Sequence, residues 1–478
     1  MLLKLCSNNS AASRGVFHRE FRNQLLTTLS VTIITLCHGI NLGWLSPTLP
    51  KLQSPSETPL NFIVNVEQAS WIGSLLSVGA VFGNIVFAQI LERVGRKAAI
   101  YGMAVPTLIL WLTIYFGTSI EYLYVARFFG GATGGGVYVL VPIFISEIAD
   151  STIRGRLTSL FALSLNTGIL LGFIISAHLS YYLVPCIVLV FPVLYLLLAL
   201  RYPEPPQDLL RRGRDKEAKE SFKFYKNFTS TSKDEVHQFN ADFLDLRTAV
   251  LEQKSEDGTS MGFFRTGNKR SMKALCSGII LMALCIFCGG FAIINYMSSI
   301  FAATKSEIHP DTNSIIIGTV QVVGSYAATI LVDRYGRKIL MIISAGGMGL
   351  GLAIFGLYVF YAEDDNIADP SSYSLWVPLV LMAFIIFLYN VGLSSVTFVV
   401  VVEIMPPKIR SRAVSYSLAL LAVFAFISVK IFPIFLDSFG LSATMWFCAT
   451  VCAFGLFYIP VFLQETKGKS MEKDDSVQ

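Results

Sequence analysis

Apolar residues in this chain gather in runs of about 20, the length a helix needs to cross the hydrocarbon core of a bilayer. Polar residues are largely confined to the breaks between the runs. The runs fall at roughly 25–47, 68–91, 98–117, 120–142, 158–180 and 184–202, then, after a polar stretch at 203–273, at 275–300, 313–332, 339–361, 375–402, 413–436 and 440–463. The pattern predicts an all-α membrane protein of 12 transmembrane helices in two six-helix bundles. Its expected divisions are an N-terminal tail (1–24), an N-terminal bundle (25–202), a linker (203–273), a C-terminal bundle (274–463) and a C-terminal tail (464–478). In the linker, apolar residues at three- and four-residue spacing among charges (Leu209, Leu210, Phe222, Phe239, Phe243, Leu246 and Val250) indicate short amphipathic helices. A solvated segment that binds acidic lipid is the alternative.

Composition supports this reading: 54% of the residues are hydrophobic and 14% charged, which excludes an ordinary soluble globule. The net charge of +5 is too small and too dispersed for nucleic-acid binding. Lys and Arg are instead distributed by topology. Arg93, Arg96, Lys97, Arg154, Arg156, Arg334, Arg337, Lys338, Lys408, Arg410 and Arg412 occupy alternate loops, and the linker is dense in both residue types. By the positive-inside rule those loops, the linker and both termini face the cytosol. A multi-pass protein of the cell membrane is expected.

Two halves of the sequence repeat. Glu92-Arg93-Val94-Gly95-Arg96-Lys97 returns as Asp333-Arg334-Tyr335-Gly336-Arg337-Lys338 between apolar runs, a tight polar turn in which Gly supplies backbone freedom. Glu147 precedes Arg154 by seven residues, as Glu403 precedes Arg410. Pro203-Glu204-Pro205 closes the first half, and Gln464-Glu465-Thr466 the second. Such order implies a parallel duplication of six helices. The cysteines lie mostly in apolar runs, with no pair in an outer loop, so no disulfide is expected. Cys285 and Cys288 lack the second pair or His a metal site needs. No nucleophile, base and orienting group fall together, so an enzyme is not expected.

These repeats, with Arg127-Phe128 followed by Gly130, Gly131, Gly134, Gly135 and Gly136, and with Glu465-Thr466-Lys467-Gly468, resemble the sugar porter family of the major facilitator superfamily. Leu42-Gly43-Trp44-Leu45-Ser46-Pro47 and Gln68-Ala69-Ser70-Trp71-Ile72-Gly73-Ser74 resemble the insect facilitated trehalose transporters within it. The resemblance implies the major facilitator fold and a carrier whose halves rock about a central site. It implies a cytosolic salt-bridge gate at Glu92, Arg93, Arg96, Glu147, Arg154, Asp333, Arg334, Arg337, Glu403 and Arg410. Partly solvated pairs, each worth about 0–1 kcal/mol, would let that gate break and reform. The expected partners are a small-molecule solute, by resemblance a sugar, and the lipid bilayer. No nucleic acid, cofactor or metal is expected, and the chain is read as a monomer.

The resemblance also locates the substrate site, and there this chain departs from it. Ala162 stands for a family Gln, Cys285 and Ile286 for a Gln pair, Phe291 for an Asn, Asn390 for an acid, Phe398 for a Trp, and Leu421 and Ala422 for an Asn-Trp pair. Gln321 keeps its amide. The Gly-Pro-x-Pro bend of the tenth helix is replaced by Gly392-Leu393-Ser394-Ser395-Val396-Thr397. Asn166 and Asn295 lie four residues beyond Ala162 and Phe291, which places them about one turn, roughly 5–6 Å, farther along the same faces. A shelf of Asn166, Asn295 and Gln321, walled by Phe291 and Phe398, is one reading; Asn166 and Asn295 bonding only to neighbouring helices is the other.

Proton symporters of the family carry an acid where this chain has Leu45, which implies passive uniport. His38 could titrate or could bond a neighbouring helix. Arg127 matches the family Arg that faces the missing acid, and its partner here is open. Lys430 is expected to snorkel toward the membrane surface. Three functions follow: facilitative carriage of trehalose or a hexose, carriage of a less polar solute, or sensing without transport.

Overall fold

The computed structural model describes residues 21–150, 152–229, 232–257, 269–304, 308–363, 376–405, 410–463 and 465. The side chains of Asp333 and Arg410 lie outside that description, as do the terminal tails beyond it and the acidic loop at 364–375.

The N-terminal half contains α1 (Arg22–Gln53), α2 (Val66–Arg93), α3 (Arg96–Phe116), α4 (Ile120–Ile148), α5 (Arg154–His178) and the shorter α6 (Leu183–Ala199). Three linker helices follow: α7 (Pro206–Arg211), α8 (Asp215–Tyr225) and α9 (Lys233–Asp257). The C-terminal half begins with α10, which is broken into Lys269–Phe287, Gly290–Asn295 and Met297–Ala303. It continues through α11 (Pro310–Tyr335), α12 (Arg337–Glu363) and α13 (Val377–Ile404). A long helical run then divides at Gly440, whose φ of 81° is not helical, into α14 (410–439) and α15 (441–462). Among the described residues, the helices apolar enough to be candidate membrane spans are thus 12, α1–α6 and α10–α15, with α6 shorter than the rest.

Local chemistry sets the helix ends. Asn65 caps α2 reciprocally, its Oδ1 accepting from Gln68 N at 2.8 Å while its own N–H donates to Gln68 Oε1 at 3.0 Å. Small residues then set the packing inside the N-terminal half. A Cβ on Gly39 or Gly43 of α1 would lie 2.2 Å from a carbonyl oxygen of α5, and Gly168 and Gly172 face them from α5. Gly79 and Gly83 of α2 lie against the backbone of Phe128 and Ala132 of α4, and Gly131 and Gly135 of α4 against that of Leu76, Ala80 and Asn84 of α2. Both crossings are small-xxx-small contacts, in which backbones approach because no side chain separates them.

The halves meet most extensively through two helix pairs, α2 with α14 and α5 with α11, and α1 packs against α10 and α11 as well. The linker belongs with the N-terminal half. Asn23 and Gln24 at the start of α1 donate to the carbonyls of Phe224 and Tyr225 at 2.7 and 3.2 Å. Leu209, Leu210, Ala218 and Val250 form a small apolar core among the linker helices.

Two helices bend where their spans would otherwise be continuous. In α10, Gly289 takes a left-handed φ of 94°. In α13, residues Asn390–Ser394 form a π-helical turn. Ser344 of α12 bridges the gap this opens in the ladder, its Oγ donating to Leu388 O at 2.7 Å and accepting from Leu393 N at 3.0 Å. Gly392 is needed there because a Cβ would lie 2.3 Å from Ser344 Cβ. The tenth helix therefore keeps a break without the family's prolines.

Candidate transport pathway

On the linker side, the duplicated turns place their glycines against acidic side chains. Gly95 has φ 129° and Gly336 has φ 88°, conformations open to glycine at little cost. A Cβ on either would meet a carboxylate, that of Glu204 at 2.4 Å or that of Glu465 at 2.9 Å. Glu204 accepts from Lys97 N at 3.2 Å, and Glu465 accepts from Arg337 N and Lys338 N at 3.1 and 3.0 Å. Each acid thus sits at the N-terminus of the helix after its turn, where orphan N–H groups and the helix dipole favour negative charge. The two acids appear in the sequence only as markers of where each half ends, and their role depends on chain closure.

Beside these turns the arginines pair. Arg96 contacts Glu147 through Nε at 3.1 Å and Nη2 at 3.0 Å, and contacts Asp208 of α7 through Nη1 at 2.6 Å. Arg211 reaches Glu147 at 3.1 Å, and Arg212 reaches Asp208 at 3.0 Å. In the other half, Arg337 Nη2 lies 3.1 Å from Glu403. The Glu147 and Asp208 side chains are only 4% and 2% exposed, whereas Arg337 and Glu403 are 18% and 14% exposed. Each pair also lies within one half rather than between halves. Glu92, Arg93, Arg154 and Arg334 are exposed. Arg154 donates to Ala149 O at 3.4 Å, and Arg334 lies over the Tyr335 ring at 5.8 Å. The contribution of Asp208, Arg211 and Arg212 was not foreseen, since a linker acid gives no signal of its partner.

Outside the membrane spans, burial disfavours ionisation of Asp150, but hydrogen bonds from Lys226 and Thr152 outweigh it and hold its carboxyl below the usual range. Burial of Glu204 raises its carboxyl above the usual range, with neighbouring Asp208 adding to the effect and the bond from Lys97 opposing it.

At the centre, Gln321 Nε2 donates to Asn166 Oδ1 at 2.6 Å, joining α11 to α5. Gln321 Oε1 is buried without a partner. Asn166 also donates to Ala162 O at 3.1 Å. Asn295 and Asn390, both buried, direct their amide N–H groups to the carbonyls of Phe291 and Ile386 in their own helices, at 2.8 and 2.9 Å. The structure thus brings together Asn166 and Gln321 from the predicted set. Phe398 stacks on Tyr138 of α4 with ring centroids 6.5 Å apart, again across the halves. Tyr138 in turn meets Phe161 and His38 edge-on at 5.7 and 5.8 Å. Nothing in the sequence singled out Tyr138.

Arg127, fully buried, is held by neutral groups. It donates through Nε to Ile72 O at 2.9 Å, and through Nη1 to Asn41 O and Oδ1 at 3.0 and 2.7 Å. Asn41 lies one turn before Leu45 on α1.

On the far side from the linker, several bonds cross between the halves. Ser46 accepts from Ser298 N at 2.9 Å, and Lys51 Nζ lies 3.7 Å from Asp311. Tyr296 donates to Val429 O within the C-terminal half, while its hydroxyl packs against Gly73 of α2. Lys430 donates to Ser70 Oγ at 2.7 Å and sits 3.9 Å above the centre of the Trp71 ring, near the start of α2.

A family model described as "Sugar (and other) transporter" matches residues 28–477. The facilitated trehalose transporter Tret1 of Bombyx mori is 30% identical over 451 residues, covering 94% of this chain and 86% of that protein. Tret1 of Polypedilum vanderplanki is 28% identical over 450 residues, covering 94% and 87%. Among solved structures, a partially occluded inward-open conformation of the xylose transporter XylE from E. coli superposes with a TM-score of 0.74 at 21% identity, covering 94% of this chain and all of that one. The proton:xylose symporter XylE bound to 6-bromo-6-deoxy-D-glucose gives 0.73 at 20% identity, covering 95% and 98%. With a family match along nearly its whole length, this chain belongs to the family described as sugar (and other) transporters.

Proposed function

We propose that this chain is a facilitative carrier of trehalose or a hexose, working by alternating access in the cell membrane with its linker and termini in the cytosol. The observation that carries the reading is the Asn166–Gln321 amide pair. It joins the halves through a buried polar contact, leaves Gln321 Oε1 unpaired, and shares the centre of the chain with the Tyr138–Phe398 stack. Sugar hydroxyls stripped of water need such donors and acceptors, and an aromatic face for their C–H groups.

Passive transport is supported by Arg127, whose described partners are an amide and carbonyls rather than a carboxylate. A proton-coupled cycle needs a group that titrates at such a place. The Arg96–Glu147 and Arg337–Glu403 pairs act in this reading as anchors that keep each half's turn rigid, while the halves separate on the linker side. Bonds at Lys430, Ser46 and Lys51 hold the far side closed.

A less polar solute is the second reading, favoured by Asn295 and Asn390, whose N–H groups are already used within their own helices. The test is uptake of labelled trehalose and glucose by cells lacking their own sugar carriers, with surface expression verified and an uncoupler added. Saturable uptake insensitive to the uncoupler is expected. Absent uptake of both sugars would favour the second reading, and uptake abolished by the uncoupler would replace uniport with symport.

A further inference from the structure

Away from the central site, on the face opposite the linker, the N-terminal half contains a cavity of about 270 Å³ between the ends of α1 and α5, the start of α6 and the loop after α1. Its lining is amphipathic. Trp44 and Tyr181 supply aromatic rings 6.3 Å apart, Leu179 and Val184 an apolar wall, and Lys51 and Glu57 charged groups at the rim. Among its lining residues, Trp44 Nε1, Ser176 Oγ and Tyr181 Oη are buried without hydrogen-bond partners. Trp44 and Ser176 are 1% and 4% exposed. Each such group costs about 1–3 kcal/mol when left unpaired, a cost that a ligand reaching it would remove.

The roof of the cavity is held in place. Pro59 lines it, and Tyr182 Oη donates to Pro59 O at 3.3 Å. Val64 N donates to Leu52 O at 3.0 Å, closing the loop back onto α1.

We propose that this cavity is a second, regulatory binding site for a small neutral polyhydroxylated solute of monosaccharide size. The volume lies just below the roughly 300–1,000 Å³ of sites for drug-sized ligands, which limits the occupant to a small molecule. Ring faces accept the C–H side of such a solute, while the indole N–H and the two hydroxyls pair with its oxygens. Its effect on transport would pass through Lys51. This residue lines the cavity, donates to Ser176 O and Ala177 O at 2.8 and 3.2 Å, and faces Asp311 of the other half at 3.7 Å. A solute that draws Lys51 inward loosens the only ion pair described between α1 and α11 on that face among the described residues. The site shares no residue with the central one, so it stands whether or not the central reading does.

The test is equilibrium binding of tritiated D-glucose and myo-inositol to the purified full chain in lipid nanodiscs. Binding to at least one probe is expected to persist in Gln321→Ala, to be lost in Ser176→Leu, which fills the cavity, and to weaken about fivefold in Tyr181→Phe, the loss of one neutral hydrogen bond. Tyr181→Phe keeps the ring and decides the matter if Ser176→Leu does not fold. Absence of binding that survives Gln321→Ala would overturn the proposal. So would surviving binding that neither Ser176→Leu nor Tyr181→Phe alters, whereas unchanged binding and uptake in Gln321→Ala would count against the central site alone.

Discussion

Gln321 and Asn166 share a hydrogen bond of 2.6 Å between α11 and α5, one of the helix pairs through which the halves meet. The contact must change if the halves rock against each other, and its unpaired Oε1 is available to a solute. Removing either amide should therefore affect binding and turnover together. Gln321→Ala and Asn166→Ala are each expected to lower surface-normalised kcat/KM for sugar uptake about five- to twentyfold, the range of one or two neutral hydrogen bonds. The double variant should lose little more than the worse single one, because the residues act as a pair. Full additivity in initial-rate measurements would show that they contribute separately.

Arg127 is a buried cation whose charge is spread over neutral acceptors, and Asn41 provides two of them. Asn41→Ala removes one charge-assisted bond, worth about 1.5–3 kcal/mol. A fall in melting temperature is expected in a fluorescence-detected size-exclusion assay, along with reduced uptake. Asn41→Ser, able to keep one acceptor, should recover part of both.

The glycine crossings allow a prediction with an internal control. At Gly43 a Cβ would lie 2.2 Å from Ile169 O, and backbone cannot move aside as a flexible side chain can. Gly43→Ala should cost about 1–3 kcal/mol through forced separation of α1 from α5. At Gly155, within the first turn of α5, a Cβ meets nothing within 4 Å, so Gly155→Ala should be neutral or slightly stabilising. Melting temperatures of the two variants in one detergent would check this directly.

The same comparison of residues explains what was legible in the sequence. Hydropathy runs located the membrane helices because burial in lipid demands length and apolar character from each segment separately. The duplicated turn was visible because Gly95 and Gly336 are required by local backbone geometry. Pairings were harder. Arg96 and Glu147 could be named as a charged set, but that Asp208 completes it depends on where the linker docks. Tyr138 looked like any membrane aromatic until Phe398 stacked on it from the other half. Asn295 and Asn390 had the chemistry of a sugar shelf, yet a helix offers its own carbonyls four residues back, and both amides take them. Spacing cannot say which of those two partners an amide will choose.

Linker docking should depend on pH through Asp150. Lys226 holds this carboxylate at 2.7 Å, and its folded pKa lies below the ordinary value despite partial burial. A depressed folded pKa contributes stability that is present above the unfolded pKa of about 3.9 and is lost as pH falls through the lower folded value. Amide exchange in α8 should therefore accelerate as pH drops through that acidic window, after correction for the intrinsic pH dependence of exchange. Asp150→Asn should abolish that step and leave α8 less protected at neutral pH.

Lys430 makes the last and most direct test of how the far side closes. Its ammonium bonds Ser70 and lies 3.9 Å from the Trp71 ring centre, so one side chain of α14 grips two residues of α2. A cation–π contact of this kind is worth about 0.5–2 kcal/mol depending on desolvation, and the hydrogen bond to Ser70 adds to it. In the alternating-access reading both contacts break when the far side opens, so losing them raises the free energy of the closed state and leaves the opposite state unchanged. Lys430→Met keeps the aliphatic stem and removes the charge. It is expected to shift the population toward far-side opening about three- to thirtyfold, read as a longer distance between spin labels at the far ends of α2 and α14. Trp71→Leu should produce a smaller shift in the same direction, since it spares the bond to Ser70. An unchanged distance distribution in both variants would mean that Ser46 and Lys51 close that side without them.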